Sequence, residues 1–322
     1  KGKNMRVALL GYSGSGKTEI LTALSGKKHE SFDPKKPIVI SVKIHDSRLL
    51  AIAEKVKPEK TTEPEITFID IKGAPEGTGF DEKIIEHALF SDTIALVIPV
   101  FSQERNPVNE LDSLCLELVY RDIDRVKGIL EKRQQEISHG KRKKSQEEDF
   151  LEKCLSHLEK ETFLSSMEMR QEEKVFLTSL GLITSKKFFV LANGNMMLTE
   201  LQNRAARSNF GFCQIDAIRT DKESIETFWN QLLVAAGLIR FYTIVGKETR
   251  AWLLPEGSTL LDAAAVIHTD IAKGFVRADV VKCEDFISLG SFAACREKGL
   301  LRSEAKTGIV KDGDIVHIHS TR

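Results

Sequence analysis

Residues 11–18 read Gly11-Tyr12-Ser13-Gly14-Ser15-Gly16-Lys17-Thr18, which matches the phosphate-loop pattern GxxxxGK[ST]. An apolar run at 6–10 predicts a strand before the loop, and a helical pattern at 18–24 follows it. The glycines let backbone N–H groups turn toward phosphate oxygens, and the helix N-terminus favours the same negative charge. The alternative, a glycine-rich turn without phosphate, is disfavoured by this strand–loop–helix context. The predicted nucleotide-binding residues are Gly11, Ser13, Gly14, Ser15, Gly16, Lys17, Thr18 and Glu19.

Two motifs supply the chemistry expected around the phosphates. Lys17 is predicted to reach the β- and γ-phosphates and to stabilise charge during catalysis, and the Thr18 hydroxyl is predicted to bind Mg²⁺. The apolar stretch 66–69 ends in Asp70, a second predicted metal residue. Gly73 follows, and its backbone N–H is predicted to act catalytically at the γ-phosphate. An aspartate at a strand end is also a common turn residue, but the upstream phosphate loop favours the metal role.

The catalytic and base-binding positions lack two familiar groups. Ala74 stands where small GTPases place a glutamine that orients the attacking water. Asn193-Gly194-Asn195-Met196 stands where guanine-specific proteins carry Asn-Lys-x-Asp, so the carboxylate that reads guanine is missing. Asn193 is interpreted either as a nucleotide-site residue that ties this loop to the phosphate loop or as a simple turn after a strand.

The hydrophobic pattern predicts three regions. Near-continuous apolar runs alternate with helical segments and predict a doubly wound α/β nucleotide-binding domain over residues 1–103 and 181–240. Apolar residues at helical spacing over 104–180 predict an inserted hairpin of two long antiparallel helices, with a basic run at 141–144 near its tip. That run is either a solvated turn or a contact for an anionic partner such as RNA. Residues 241–322 predict a small α+β domain.

Composition limits the function less than the motifs do. Lys plus Arg and Asp plus Glu both number 47, so net charge gives no sign of nucleic-acid or membrane binding. Apolar runs are too short to cross a bilayer, and we expect no membrane partner. The five cysteines show no CxxC spacing, which favours reduced thiols in a cytoplasmic protein.

These motifs resemble the YchF subfamily of Obg-like P-loop NTPases over most of the chain. Asp46 to Pro58 is similar to a family segment that precedes the Asp-x-x-Gly strand, Asp70-Ile71-Lys72-Gly73 is similar to its Asp-Ile-Ala-Gly, and Ala74 matches its apolar residue in place of glutamine. Further similar segments, in order, are Glu152-Lys153-Cys154-Leu155, Arg250-Ala251-Trp252, Ile267-His268-Thr269-Asp270, Gly274-Phe275-Val276-Arg277-Ala278, Asp285-Phe286 and Asp312-Gly313-Asp314.

The resemblance implies a G-domain, a coiled-coil insertion and a C-terminal TGS domain, which is a ubiquitin-like β-grasp module. It also implies that ATP is preferred over GTP and that the protein associates with ribosomes. The chain departs from the family by lacking Asn-Val before Gly16, a clear switch I threonine between Gly26 and Ile38, and the family's Asn-x-x-Glu base motif. The features together favour a slow Mg²⁺-dependent ATPase switch that contacts ribosome or RNA through the hairpin and TGS domain. The alternatives are a non-hydrolysing nucleotide sensor and a TGS-domain scaffold.

Because Met196 cannot accept hydrogen bonds from guanine, we expect no preference for GTP over ATP. Competition of GTP and ATP against a labelled ATP analogue measures this. A GTP preference above roughly tenfold, or about 1.4 kcal/mol, would contradict the argument.

Overall fold

The computed structural model describes residues 5–26, 37–75, 77–102, 104–141, 143 and 145–321. Its strands are β1 (Met5–Leu10), β2 (Ile38–Lys43), β3 (Lys60–Thr62), β4 (Glu65–Asp70), β5 (Thr93–Pro99), β6 (Lys187–Asn193), β7 (Gly211–Ile215), β8 (Leu238–Val245), β9 (Glu248–Pro255), β10 (Phe275–Lys282), β11 (Arg302–Glu304) and β12 (Asp314–Ser320). Its helices are α1 (Lys17–Ser25), α2 (Ser47–Val56), α3 (Glu82–Leu89), α4 (Pro107–Ser138), α5 (Gln146–Leu158), α6 (Gln171–Ser179), α7 (Thr199–Arg207), α8 (Lys222–Ala236), α9 (Leu260–Ile267), α10 (Thr269–Lys273), α11 (Cys283–Leu289) and α12 (Phe292–Glu297).

The chain divides into two compact units. The first contains residues 6–40 and 68–221, and the second contains the residues up to Met5, residues 41–67 and the segment from residue 222. The predicted boundaries instead placed residues 41–67 and 222–240 in the nucleotide-binding domain. The division into functional domains therefore stays a prediction, and each unit is described by itself.

The first unit is built on a largely parallel sheet with the strand order β2-β4-β1-β5-β6-β7. The pairs β1–β5, β5–β6 and β6–β7 are all parallel. Every residue of β5 is buried, which explains why its sequence is a continuous apolar run rather than an alternating one. The predicted α/β fold is confirmed. Because parallel strands end at one edge, the residues that follow β1, β4 and β6 gather there.

A helical hairpin is inserted after β5. Asn106 caps α4 by accepting hydrogen bonds from the backbone N–H groups of Val108 and Asn109. Arg133 on α4 pairs with Glu148 near the start of α5 at 2.9 Å, while Lys127 pairs with Glu159 beyond its end at 3.6 Å, so the helices run antiparallel.

The two arms of this hairpin differ in length. The first spans 32 residues and the second only 13, whereas two long arms were predicted. The second arm ends early because the chain turns at Glu161, whose φ is 58°. Of the predicted basic run, Arg142 and Lys144 lie outside the described residues. Among the helices of the described ranges, none has the length and apolar character needed to cross a bilayer.

The second unit is built on a mixed sheet with the order β11-β10-β12-β8-β9-β3. Strands β8 and β9 form an antiparallel hairpin, β12 lies parallel to β8, and β10 lies antiparallel to β12. Helix α9 packs over this sheet through Leu260 and Ala263, which lie in a core with Phe241 and Trp252. This arrangement is a β-grasp fold, as predicted.

Residues 41–67 contribute to the core of this second unit. Strand β3 pairs in parallel with β9 at the edge of the sheet. Leu49 and Ile52 on α2 are fully buried in a cluster that includes Tyr242 and Phe286. The Tyr242 hydroxyl donates a 2.8 Å hydrogen bond to Asp46, whose side chain also caps α2. The helical period of α2 predicts a buried face, but it does not identify the partner of that face.

We expect Leu49→Ala to lower the free energy of unfolding of the second unit by about 2–5 kcal/mol, because truncation leaves a cavity in its core. Both tryptophans of the chain, Trp229 and Trp252, lie in this unit, so denaturant unfolding followed by tryptophan fluorescence reports on it. Leu50→Ala is the matched control, since Leu50 is 41% exposed on the same helix. Equal effects of the two substitutions would show that α2 does not stabilise this core.

Candidate functional site

The phosphate-loop residues form a compact turn between β1 and α1. The backbone N–H of Ser15 donates to the carbonyl of Tyr12 at 3.3 Å, and Gly16, the N-cap residue of α1, has a φ of 85°. That conformation favours glycine, and a Cβ at this position would also collide with the side-chain amide of Asn193. The loop thus takes the close-approach geometry that a phosphate cradle needs.

Lys17 is buried inside this turn and is 7% exposed. Its Nζ donates to the carbonyls of Gly11 at 2.9 Å and Tyr12 at 3.1 Å, and to the Ser15 hydroxyl at 3.3 Å. Burial lowers the pKa of Lys17 to about 8, against the opposite effect of carboxylates at Asp70, Glu19 and Glu110. A buried cation whose hydrogen-bond partners among the described residues are neutral oxygens is well placed to bind an anion.

Thr18 and Asp70 meet beside this lysine. The Thr18 hydroxyl donates to Asp70 Oδ2 at 2.7 Å, and Asp70 is 1% exposed at the end of β4. Hydroxyl and carboxylate oxygens are hard donors that fit Mg²⁺, which usually keeps several waters and substrate oxygens in its shell. Among the described residues no group of three or more His, Cys, Asp or Glu side chains could hold a metal ion. The two oxygens fit a metal that shares its coordination with phosphate.

Gly73 and Ala74 lie directly against the phosphate loop. The Ser13 N–H donates to the Ala74 carbonyl at 2.9 Å, and the Ser13 hydroxyl donates to the Gly73 carbonyl at 2.9 Å. A Cβ at Gly73 would lie 2.7 Å from Ser13 N, so the approach requires glycine. The Ala74 methyl is buried at 6% exposure and offers no hydrogen bond to a water.

Asn193 connects the end of β6 to the phosphate loop. Its Nδ2 donates to the Ser15 carbonyl at 3.2 Å, and its Oδ1 accepts from the Ala217 N–H at 3.3 Å. Gln214 holds the following turn by donating to the Gly194 and Met196 carbonyls, each at 2.9 Å. These hydrogen bonds favour the interpretation of Asn193 as a residue that connects its loop to the phosphate loop, rather than as a simple turn residue.

The structure thus brings Gly11–Thr18, Asp70, Gly73 and Asn193 together at one edge of the sheet, with Glu19 in the first turn of α1. Residues 27–36, in the stretch predicted to lack a switch I threonine, lie outside the described residues. Sequence reasoning missed Tyr12 as a contact residue, Glu117 on α4, and Glu110, which is 4% exposed. Of these three residues, Glu110 alone could have been noticed in the sequence, because it lies in the first turn of a capped helix.

Three comparisons place the chain among known proteins. The family model YchF-GTPase_C, described as "Protein of unknown function (DUF933)", matches residues 238–320. Proteins named ribosome-binding ATPase YchF from Buchnera aphidicola and Escherichia coli O157:H7 are each 28% identical, covering 97% of this chain and 98% of the relative. The relative of that name from Bacillus subtilis is 29% identical with the same coverage.

A solved structure shares the fold. The Schizosaccharomyces pombe YchF GTPase superimposes with a TM-score of 0.74 at 22% identity, covering 99% of this chain and 98% of that one. This likeness agrees with the fold built from the strand order and with the full-length sequence matches. Over nearly its full length the chain is therefore similar to proteins of the YchF subfamily, and residues 238–320 match the C-terminal model of that family.

Proposed function

We propose that this chain is a slow Mg²⁺-dependent ATPase that works as a switch and associates with the ribosome or with RNA. The observation that carries the proposal is the cluster of Lys17, Thr18 and Asp70: a buried ammonium beside a hydroxyl and carboxylate only 2.7 Å apart. This set provides charge for the β- and γ-phosphates and oxygens for a metal. Bound Mg²⁺ would neutralise negative charge on those phosphates.

The individual roles follow from position. Lys17 and the backbone N–H groups of the phosphate loop bind and stabilise phosphate charge, and Gly73 brings its N–H to the terminal phosphate. Thr18 and Asp70 hold the metal, and Asn193 fixes the loop beside the base. Turnover is slow because Ala74 has no group to orient water. The missing carboxylate at Met196 removes a basis for preferring GTP, and the similarity to relatives named ATPases favours ATP.

The partner is inferred from the relatives and from the insertion. The chain covers nearly the full length of relatives named ribosome-binding ATPases. Its hairpin presents exposed Lys141 and Lys143 near the turn, and such basic tips suit the phosphates of RNA. The β-grasp domain, matched by the YchF C-terminal family model, is the second candidate contact. A ribosome-associated role implies a cytoplasmic location.

A non-hydrolysing nucleotide sensor is the second candidate, and the buried Ala74 methyl favours it. Single-turnover hydrolysis of radiolabelled ATP with Mg²⁺ separates the two functions. We expect slow phosphate release by the wild-type chain and a loss of triphosphate affinity of at least about tenfold in Lys17→Ala, because the substitution removes the charge-assisted contacts. Binding without any release would support the sensor, and unchanged affinity in a folded Lys17→Ala variant would disprove the nucleotide site.

We also expect triphosphate affinity to fall as the pH rises through about 8, where burial places the pKa of Lys17. Below that pH the ammonium is already charged. Above it the amine is neutral, and binding must take up a proton because phosphate charge raises the pKa again. Calorimetry at about one pH unit on each side of this pKa, in two buffers of different ionisation enthalpy, measures the uptake. Lys17→Arg is the control, since its guanidinium stays charged and should bind without proton uptake.

A further inference from the structure

The second residue of the phosphate loop makes an unexpected contact with the helical insertion. Tyr12 is fully buried, and its hydroxyl donates a 2.7 Å hydrogen bond to Glu117 Oε1 on α4. Its ring also stacks on Phe80, with ring centroids 6.2 Å apart and an interplanar angle of 4°. The loop is therefore joined both to the first arm of the hairpin and to the segment that follows Gly73.

Glu117 joins the same segment from the opposite side. Its Oε1 accepts a second hydrogen bond, from the backbone N–H of Gly77 at 3.2 Å. Its Oε2 is buried and has no hydrogen-bond partner among the described residues. Keeping a carboxylate oxygen buried without a partner costs free energy, so the carboxylate is held there by the two bonds to its other oxygen.

The segment made of residues 73–75 and 77–80 is thus fixed at three points. Ser13 holds its beginning through the Gly73 and Ala74 carbonyls, Glu117 holds Gly77, and Tyr12 stacks on Phe80. Gly73 is the residue that the proposed function places at the terminal phosphate. A shift of this segment therefore changes the contacts to the terminal phosphate of a triphosphate. It leaves the contacts to a diphosphate, which lacks that phosphate, largely unaltered.

We propose that Tyr12 and Glu117 are positioning residues: they hold this segment for the terminal phosphate and couple the nucleotide state to the first arm of the hairpin. The inference rests on the proposed nucleotide-binding function and adds its route of regulation. Glu117 lies 21 residues before the end of α4 at Ser138, which corresponds to about 30 Å of helix. A partner bound at the hairpin turn could therefore act on the phosphate site through one continuous helix.

A cavity of about 270 Å³ lies beside this contact and gives the segment a second place to pack. It is lined by Gly79, Phe80, Ile85 and Glu117, together with neighbouring residues of α4. Phe80 is only partly buried, and Gly77 and Gly79 around it have φ of 74° and 73°. As part of this proposal, the Phe80 ring leaves Tyr12 for this cavity in the second arrangement of the switch.

The test compares affinities for a non-hydrolysable ATP analogue and for ADP by calorimetry, each with Mg²⁺, in the full chain. The variants are Tyr12→Phe, Glu117→Ala, their double mutant, and Glu117→Gln, which keeps an acceptor oxygen. Glu131→Ala is the control, an exposed glutamate on the same helix. We expect Tyr12→Phe and Glu117→Ala each to weaken the ATP analogue roughly tenfold and ADP less than about twofold. We expect Glu117→Gln to recover most of the loss.

The double mutant should lose no more than the larger single effect, because both substitutions break one contact. Hydrogen exchange supplies the second readout: the ATP analogue should slow exchange in the first arm of the hairpin in the wild-type chain and not in Glu117→Ala. Equal losses for the two nucleotides, additive effects, or unchanged hairpin exchange in the wild-type chain would overturn the inference. A wild-type chain that binds neither nucleotide would instead overturn the proposed function. If Glu117→Ala does not fold, Tyr12→Phe, which removes a single oxygen, still tests the inference.

Discussion

The hydrogen bonding of the buried Lys17 ammonium is the interaction on which the rest of the candidate nucleotide site depends. A charge that has left water must be surrounded by oxygens, and the loop supplies three of them within 3.3 Å. This demand fixes the shape of the loop. The shape requires glycine at Gly16, where Asn193 comes close. It also requires glycine at Gly73, which approaches Ser13. The same burial lowers the pKa of Lys17 to about 8, and under the proposed function it strengthens the attraction of the ammonium for a phosphate.

Much of the first unit could be predicted because its information is local. The strands are continuous apolar runs, the phosphate loop is a contiguous motif, and Asp70 follows a strand, so all three are visible within a few residues. The gathering of Asp70 and Asn193 at one edge then follows from the rule that parallel strands share an end. The β-grasp fold was predicted from family resemblance more than from its short strands.

The remaining features depend on contacts between distant residues. Tyr12 and Glu117 are 105 positions apart, and Asn193 and Ser15 are 178 apart. A tyrosine in a glycine-rich loop and a glutamate on a long helix each have ordinary local explanations, and only the fold brings them together. The packing of residues 41–67 with the C-terminal segment was not predicted for the same reason, since an amphipathic helix shows that it has a buried face but not what covers it. The length of α5 was missed because the turn at Glu161 has no glycine or proline to mark it.

The contribution of residues 41–67 to the second unit also has a consequence for the order of events during synthesis. Leu49 and Ile52 leave the ribosome long before β8, β9 and β12, whose sheet forms the core that covers them. At a rate of about 5–20 residues per second, the wait is on the order of ten seconds or more. During that interval residues 68–221 are synthesised while the apolar face of α2 still lacks its partners. The nascent chain therefore carries an aggregation-prone helix, because the C-terminal strands that cover its apolar face are synthesised last.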